Sequence, residues 1–328
     1  MTTPRNNPGK PKLGVSTCLL GERVRYDGGH KRDRFITDEL GRFVEFVPVC
    51  PEVEVGLPTP RPPLRLVGRP DSARLVFAQS GEDVTDRMEA WARQRCAELE
   101  KENLCGYIFK SKSPSSGMAR VKVYDENGVP VNKGVGVFAR VFMEHFPLLP
   151  VEDEGRLHDL PLRENFLERM FAVKRWQELV EAGRRRGALV EFHARHKLLM
   201  MSHSPKHLRE LGRLVAEAKK HSPAELYGGY FEGFMHALGL MATVSKQCNV
   251  LQHVMGYFKK HLTPDEKQEL LEVIDQYRRR TIPLIVPITL LNHYVRKYRS
   301  ALGDSGAYLA QQHYLHPHPA ELSLRSAI

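Results

Sequence analysis

The chain has 328 residues, enough for two domains with separate cores, and its composition is that of an ordinary soluble globular protein. Its five cysteines are odd in number and irregular in spacing, which excludes a disulfide framework; the longest apolar stretch, Ile282–Leu291, is too short to span a bilayer. A formal charge of +10 points to a polyanionic partner; the excess is +4 over residues 1–150 and +6 over 151–328, and 13 of the 15 histidines fall in the second part, whose charge is expected to rise at mildly acidic pH.

Residues 1–10 read as a disordered leader without an apolar signal segment, so the expectation is a reduced, cytoplasmic protein with no membrane partner. From Leu13 to about Phe142, short β-like runs alternate with helical stretches. Strands are expected at Lys12–Thr17, Val44–Val49, Arg65–Val67, Arg74–Phe77, Gly106–Lys110 and Val121–Tyr124, and an amphipathic helix from Val84 to about Leu104. Such alternation predicts an α/β domain over 11–150, Rossmann-like with a mostly parallel sheet. Pro147–Pro150 and the acidic Glu152-Asp153-Glu154 read as a linker. The rest, 151–328, predicts an all-α domain, with helices at Arg163–Arg185, Leu189–Met201, Pro205–Lys220, Ala224–Leu240, Lys246–Lys260, Pro264–Arg279, Ile285–Tyr298 and Gly306–Tyr314. Ser204-Pro205 and Thr263-Pro264 are helix starts of the N-cap hydroxyl, Pro-at-N1 kind.

Three positions draw attention because each follows a strand: Cys18 after LGVST, Cys50 after FVPV, and Ser116 in Ser113-Pro114-Ser115-Ser116-Gly117 after GYIFK. Groups beyond the carboxyl ends of parallel strands converge on one crevice. Two thiols and a hydroxyl there have the look of a metal or cluster site with one ligand changed. Cys96 and Cys248 lie inside expected helices and read as core. Cys105 precedes its strand, and a five-residue strand of roughly 17 Å would keep it at the far end of the sheet.

Cys18-Leu19-Leu20-Gly21 with RYDGG, Cys50-Pro51-Glu52 with GLPTPR, and Lys110-Ser111-Lys112-Ser113-Pro114-Ser115-x-Gly117 together resemble the TudS-type thiouracil desulfidases over about residues 11–145. The second half is similar to the YbgA-like helical domain, through Met200–Ala216, Asn249–Lys259 and Ile282–Leu291. Fusion of the two resembles the RudS-type tRNA 4-thiouridine desulfidases. The resemblance implies a [4Fe-4S] cluster on three cysteines, whose open iron takes the thiocarbonyl sulfur while water attacks the ring carbon. It places the third ligand at Ser116, where this chain has a hydroxyl, a harder and less acidic donor than a thiol. Either an engineered Cys→Ser change or a natural member with altered chemistry accounts for that serine.

Within that reading, Glu52 is the candidate general base and Ser113 a substrate-orienting or proton-relay group. Arg25, Asp27, Arg61 and Lys112 are candidate substrate-binding residues, with turn formation or solvated charge as the plainer account. Lys259, Lys260, Arg278, Arg279 and Arg280, with Arg184–Arg186, Lys219-Lys220 and Arg296-Lys297, form basic clusters. They either complement helix dipoles or track RNA phosphates. The histidines at 193, 196, 203 and 207 make no convincing metal set. The functional alternatives are desulfuration of 4-thiouridine in tRNA, desulfuration of free thiouracil, and non-catalytic RNA binding with a dead site. The sequence leaves the oligomeric state open.

Overall fold

A computed structural model describes residues 9–322, and the chain divides into two compact units, Met1–Asp159 and Leu160–Ile328. The expected leader over 1–10 lies outside the described residues except for Gly9 and Lys10.

The first unit is α/β, with the expected strands in place. β1 (Lys12–Ser16), β2 (Glu45–Val49), β3 (Leu64–Val67), β4 (Arg74–Phe77), β5 (Gly106–Phe109) and β6 (Val121–Tyr124) are joined by β7 (Pro130–Gly134) and β8 (Val151–Asp153). They form two four-stranded sheets. Sheet A, in the order β2-β1-β5-β8, is wholly parallel; sheet B, β4-β3-β6-β7, is mixed, with only the β3–β6 pair parallel. Three helices accompany them: α1 (Pro51–Glu54), α2 (Thr85–Glu100) and α3 (Val137–His145).

Spacing explains how α2 serves both sheets. Met88, Ala92, Cys96 and Leu99 recur at intervals of three and four, so they share one helix face. Met88 packs with Leu66, Leu75 and Val123 beneath sheet B. Ala92, Cys96 and Leu99 pack with Tyr107, Phe109, Phe138 and Phe142 beneath sheet A. Cys96 is thus a core residue. Gly14 on β1 has a specific reason to lack a side chain: a Cβ there would sit 2.2 Å from the Tyr107 ring, which crosses it from the paired strand β5.

β8 corrects the linker expectation. Glu152 and Asp153 are buried, and the strand pairs with β5. One valine among three acids carries no period-two signal, so polarity masked a strand whose carboxylates are all engaged. Glu152 binds Arg156, Asp153 accepts from the Arg156 amide at 2.8 Å, and Glu154 holds Lys110 and Ser111. β7 escaped notice for another reason: it is a polar edge strand that opens with proline.

The second unit is helical: α4 (Leu160–Glu181), α5 (Arg186–His203), α6 (Pro205–Ala216), α7 (Pro223–Gly239), α8 (Val244–Tyr257), α9 (Pro264–Arg278), α10 (Ile285–Lys297), α11 (Arg299–Leu302) and α12 (Asp304–Ala310). Ser204, Ser222, Thr243 and Thr263 cap α6 to α9 through their hydroxyls, and Ser222 and Thr263 complete capping boxes with Glu225 and Glu266. Trp176 stacks on Tyr230 and Phe231 at the centre of α4, α5 and α7.

No helix among the described residues is long and apolar enough to cross a membrane.

Candidate active site at the carboxyl ends of sheet A

β1 is central in sheet A, with β2 on one side and β5 on the other, all running the same way. Their carboxyl ends therefore open side by side. Cys18 lies in the 3-10 turn after β1, Cys50 immediately after β2, and Ser116 in the turn after β5. All three line one cavity of about 400 Å³, together with Arg25, Glu52, Arg61, Lys112 and Ser113. Asp27 does not line it. Its carboxylate accepts from the Gly29 amide at 3.0 Å and lies 3.4 Å from Arg25, so it shapes the RYDGG turn. Cys105 is buried at the opposite end of the sheet, where its amide donates to Lys12, the first residue of β1.

Each turn is fixed locally. Gly21 closes the Cys18 turn at φ +100°, a conformation that favours glycine, and the Cys18 carbonyl accepts from the Lys31 amide at 2.9 Å. Cys50 is the N-cap of α1, with Pro51 at N1, and its amide donates to Glu54 at 2.9 Å. The serine-rich turn rests against the start of α3. Amides of Val137 and Ala139 donate to the carbonyls of Pro114 and Ser115, and Gly136 donates to Gly117 at 2.8 Å. A Cβ on Gly136 would stand 2.5 Å from the Ser115 backbone, so this approach requires glycine.

Glu52 is the hub of the polar network. The Ser115 hydroxyl donates to its Oε1, and the Cys50 thiol donates to Oε2 at 3.7 Å. Arg61 Nη2 stands 3.9 Å from the same Oε2. Ser113 Oγ lies 3.0 Å from Ser115 Oγ and accepts from the amides of Ser115 and Ser116. Since the Ser115 proton points to Glu52, the Ser113 hydroxyl donates to Ser115, giving a directed chain Ser113→Ser115→Glu52. Arg61 is buried, and its Nη1 donates to the carbonyls of Val24 and Pro58 and to the Thr59 hydroxyl. It joins the GLPTPR segment to the RYDGG segment while facing Glu52.

Burial, with the nearby Glu52 charge, pushes the Cys18 thiol up to about 11 and the Cys50 thiol up to about 12. Both are protonated at neutral pH in this arrangement, as the Cys50–Glu52 hydrogen bond requires. Ser115 and Lys110 stand in the motif quoted from the sequence but were given no role there. Ser115 is completely buried, and its contact with Glu52, 63 positions away, leaves no local pattern.

The cavity supplies two thiols and, at the third place, the Ser116 hydroxyl; among the described residues no group of three or more His, Cys, Asp or Glu side chains is placed to hold a metal. A cluster favours thiolates, and a serine hydroxyl is a poor substitute. The donor set therefore does not fit a three-thiolate cluster: it lacks one soft ligand.

The profile of the 2-thiouracil desulfurase family matches residues 13–154, which contain the whole cavity, and a profile for a domain of unknown function, DUF1722, matches residues 197–319. The chain is 36% identical over 112 residues to the uncharacterized protein YbbK of Bacillus subtilis 168, covering 71% of that protein and 31% of this one. It is 35% identical over 160 residues to the uncharacterized protein YbgA of Escherichia coli K12, covering 91% of that protein and 48% of this one. This chain belongs to the 2-thiouracil desulfurase family, in fusion with a YbgA-like DUF1722 domain. A solved structure titled [4Fe-4S]-dependent thiouracil desulfidase TudS is 34% identical, covers 47% of this chain and 97% of its own, and superposes with a TM-score of 0.37.

In the DUF1722-bearing half, the four histidines singled out from the sequence are engaged within the protein. His193 meets the Tyr230 hydroxyl, His196 bonds the Phe192 carbonyl and Arg175, His203 bonds Glu168 and the Leu240 carbonyl, and His207 meets Ser204. Burial pushes His193 down to about 4, His313 to about 3 and His196 well below its usual value. These three do not gain charge at mildly acidic pH, contrary to the expectation from their number. The basic clusters divide. Arg186 donates to the carbonyls of Ala218 and His221, Arg279 pairs with Asp275 at 2.6 Å, and Lys297 pairs with Glu266. Lys259 and Lys260 are exposed, and Arg278 and Arg280 line a cleft with Thr243, Ser245 and Asn249 at the start of α8.

Proposed function

We propose that the chain is built as a tRNA 4-thiouridine desulfidase, in a form whose cluster site Ser116 leaves impaired; the reaction replaces the thiocarbonyl sulfur of a pyrimidine with oxygen from water and releases hydrogen sulfide. The observation that supports it most directly is the shared cavity of Cys18, Cys50 and the Ser116 position, with Glu52 held on its wall by Ser115 and Arg61. In this reading Glu52, as carboxylate, takes a proton from the attacking water, and Ser115 and Ser113 orient that carboxylate and pass the proton on. Arg25 and Lys112 on the cavity wall bind the substrate. Asp27 serves the turn that carries Arg25.

The cofactor of this reading is a [4Fe-4S] cluster, which needs a third thiolate where this chain has Ser116. Support for tRNA over a free base comes from the charge of the fused helical half, with Lys259, Lys260, Arg278 and Arg280 unpaired among the described residues.

The deciding experiment sets this chain beside its Ser116→Cys variant after anaerobic reconstitution. Iron per chain and cluster absorption should rise in the variant, which should then release sulfide from 4-thiouridine tRNA. Equal and full iron in both would show that Ser116 is not a missing ligand. Full iron in the variant without desulfuration of any thiolated pyrimidine would remove the enzymatic reading.

A further inference from the structure

One face of sheet B lies over the apolar cluster of Leu66, Leu75, Val121 and Val123. Strand alternation sends the intervening residues the other way. Arg65 on β3 and Lys122 and Tyr124 on β6 therefore share the outward face, and Asn132 of β7 is the register partner of Lys122. With Lys112 and Arg120 they line a cleft of about 460 Å³. This cleft shares Leu64, Lys112 and Pro114 with the cavity of Cys18 and Cys50, so the two adjoin.

The cleft gathers cations without a carboxylate among them. Elsewhere in the unit, Arg32, Arg74, Arg95 and Arg140 stand against carboxylates that neutralise them. In the cleft, Lys112, Arg120 and Lys122 have no side-chain partner among the described residues, and no Asp or Glu lines it. The buried Nε of Arg65 has no hydrogen-bond acceptor, while its guanidinium lies 5.6 Å from the centre of the Tyr124 ring. Lys112 and Arg120 bracket the serine-rich turn and both hold positive φ, +60° and +54°. Backbone ease would favour glycine or asparagine at both, so it does not explain two long cations there.

We infer that this face is a track for single-stranded RNA, holding the phosphates beside the base that enters the cavity. Four cations, an aromatic ring under a guanidinium and an unsatisfied donor are the equipment that reads a sugar-phosphate strand without sequence preference. A free pyrimidine carries no phosphate and has nothing to place on this face. The inference rests on the thiolated-pyrimidine reading of the cavity and adds that the base arrives as part of a strand, gripped by the α/β unit itself.

The test is fluorescence anisotropy of the full chain with a single-stranded RNA of about a dozen nucleotides carrying one 4-thiouridine, within the usual size of such sites. Arg120→Glu with Lys122→Glu should lower affinity at least about tenfold and reduce the slope of log affinity against log salt by about 1.4, roughly 0.7 for each phosphate no longer neutralised. Arg120→Gln with Lys122→Gln should fall between, and Trp91 fluorescence in a Trp176→Phe background checks that the unit is folded. Unchanged affinity and slope in the folded Glu variant would overturn the track. Equal binding of heparin, matched for charge, would make the face a general polyanion surface and overturn the RNA assignment. If the RNA loss occurs as expected but Ser116→Cys protein desulfurates no thiolated RNA, the track stands and the reading of the cavity falls.

Discussion

The two halves of this molecule use polar residues in opposite ways. In the α/β unit, polar side chains from distant segments meet at the carboxyl end of sheet A, around an open cavity. In the helical unit, the residues most suggestive of chemistry are spent on packing: His196 is buried beside Arg175, His203 beside Glu168, and Arg175 donates to the Pro317 carbonyl. Thirteen histidines make the second half look more reactive than the first, which has two. Placement reverses that impression for His196 and His203, because a buried imidazole with both nitrogens occupied has nothing to offer a substrate.

The contrast predicts different responses to acid. His193, His196 and His313 have folded pKa values below their unfolded ones, so the unfolded state binds protons first as pH falls. Their stability contribution is complete above about 6.5 and is lost on going down toward about 4 and 3, at up to about 1.4 kcal/mol per pH unit per imidazole. The chain's two tryptophans, Trp91 in α2 and Trp176 in α4, report on separate halves once either is changed to Phe. The Trp176 signal should melt at markedly lower temperature at pH 5 than at pH 7, with a smaller shift for Trp91; equal shifts would erase the distinction.

The next effect in size belongs to the cavity. In the Ser116→Cys background, Glu52→Gln should leave substrate binding in place and cut kcat by at least about 100-fold, the usual result of losing a general base. Near-normal turnover would take Glu52 out of the chemistry and leave it as the anchor of Ser115.

A weaker effect is expected at the helical surface. Neutralising Arg278, Arg279 and Arg280 together should flatten the salt dependence of tRNA binding, by about 0.9 for each duplex phosphate left without its cation. Arg279 should contribute less than the others, since Asp275 already neutralises it. An unchanged slope would confine RNA contact to the α/β unit. Smallest is Thr263→Ala, which removes the hydroxyl half of the α9 capping box and should cost about 1 kcal/mol in the Trp176 melt without altering Trp91.

Much of the architecture was legible because it rests on local signals. Short apolar runs between helical stretches marked six strands, and a hydroxyl followed by proline marked the starts of α6 and α9. The meeting of residues 18, 50 and 116 followed from strand ends in a parallel sheet. What stayed hidden depends on contacts across sequence. Ser115 is ordinary until Glu52 is brought to it, and the cleft cations are scattered over nearly sixty positions from Arg65 to Lys122. The division of the sheet in two was also invisible, since strand pairing is a choice among partners that no single segment encodes.

β8 has a practical consequence for anyone who divides this protein. A cut after Pro150, where the prolines invite one, would remove the outer neighbour of β5. Gly106–Phe109, four buried residues with no charge, would become a bare strand edge of the kind that recruits other chains. The same cut would take away Glu154, which clasps Lys110 and Ser111 at the base of the serine-rich turn. A fragment ending at Asp159 keeps both, and its solubility beside that of a fragment ending at Pro150 would show how far a three-residue strand shields the unit from aggregation.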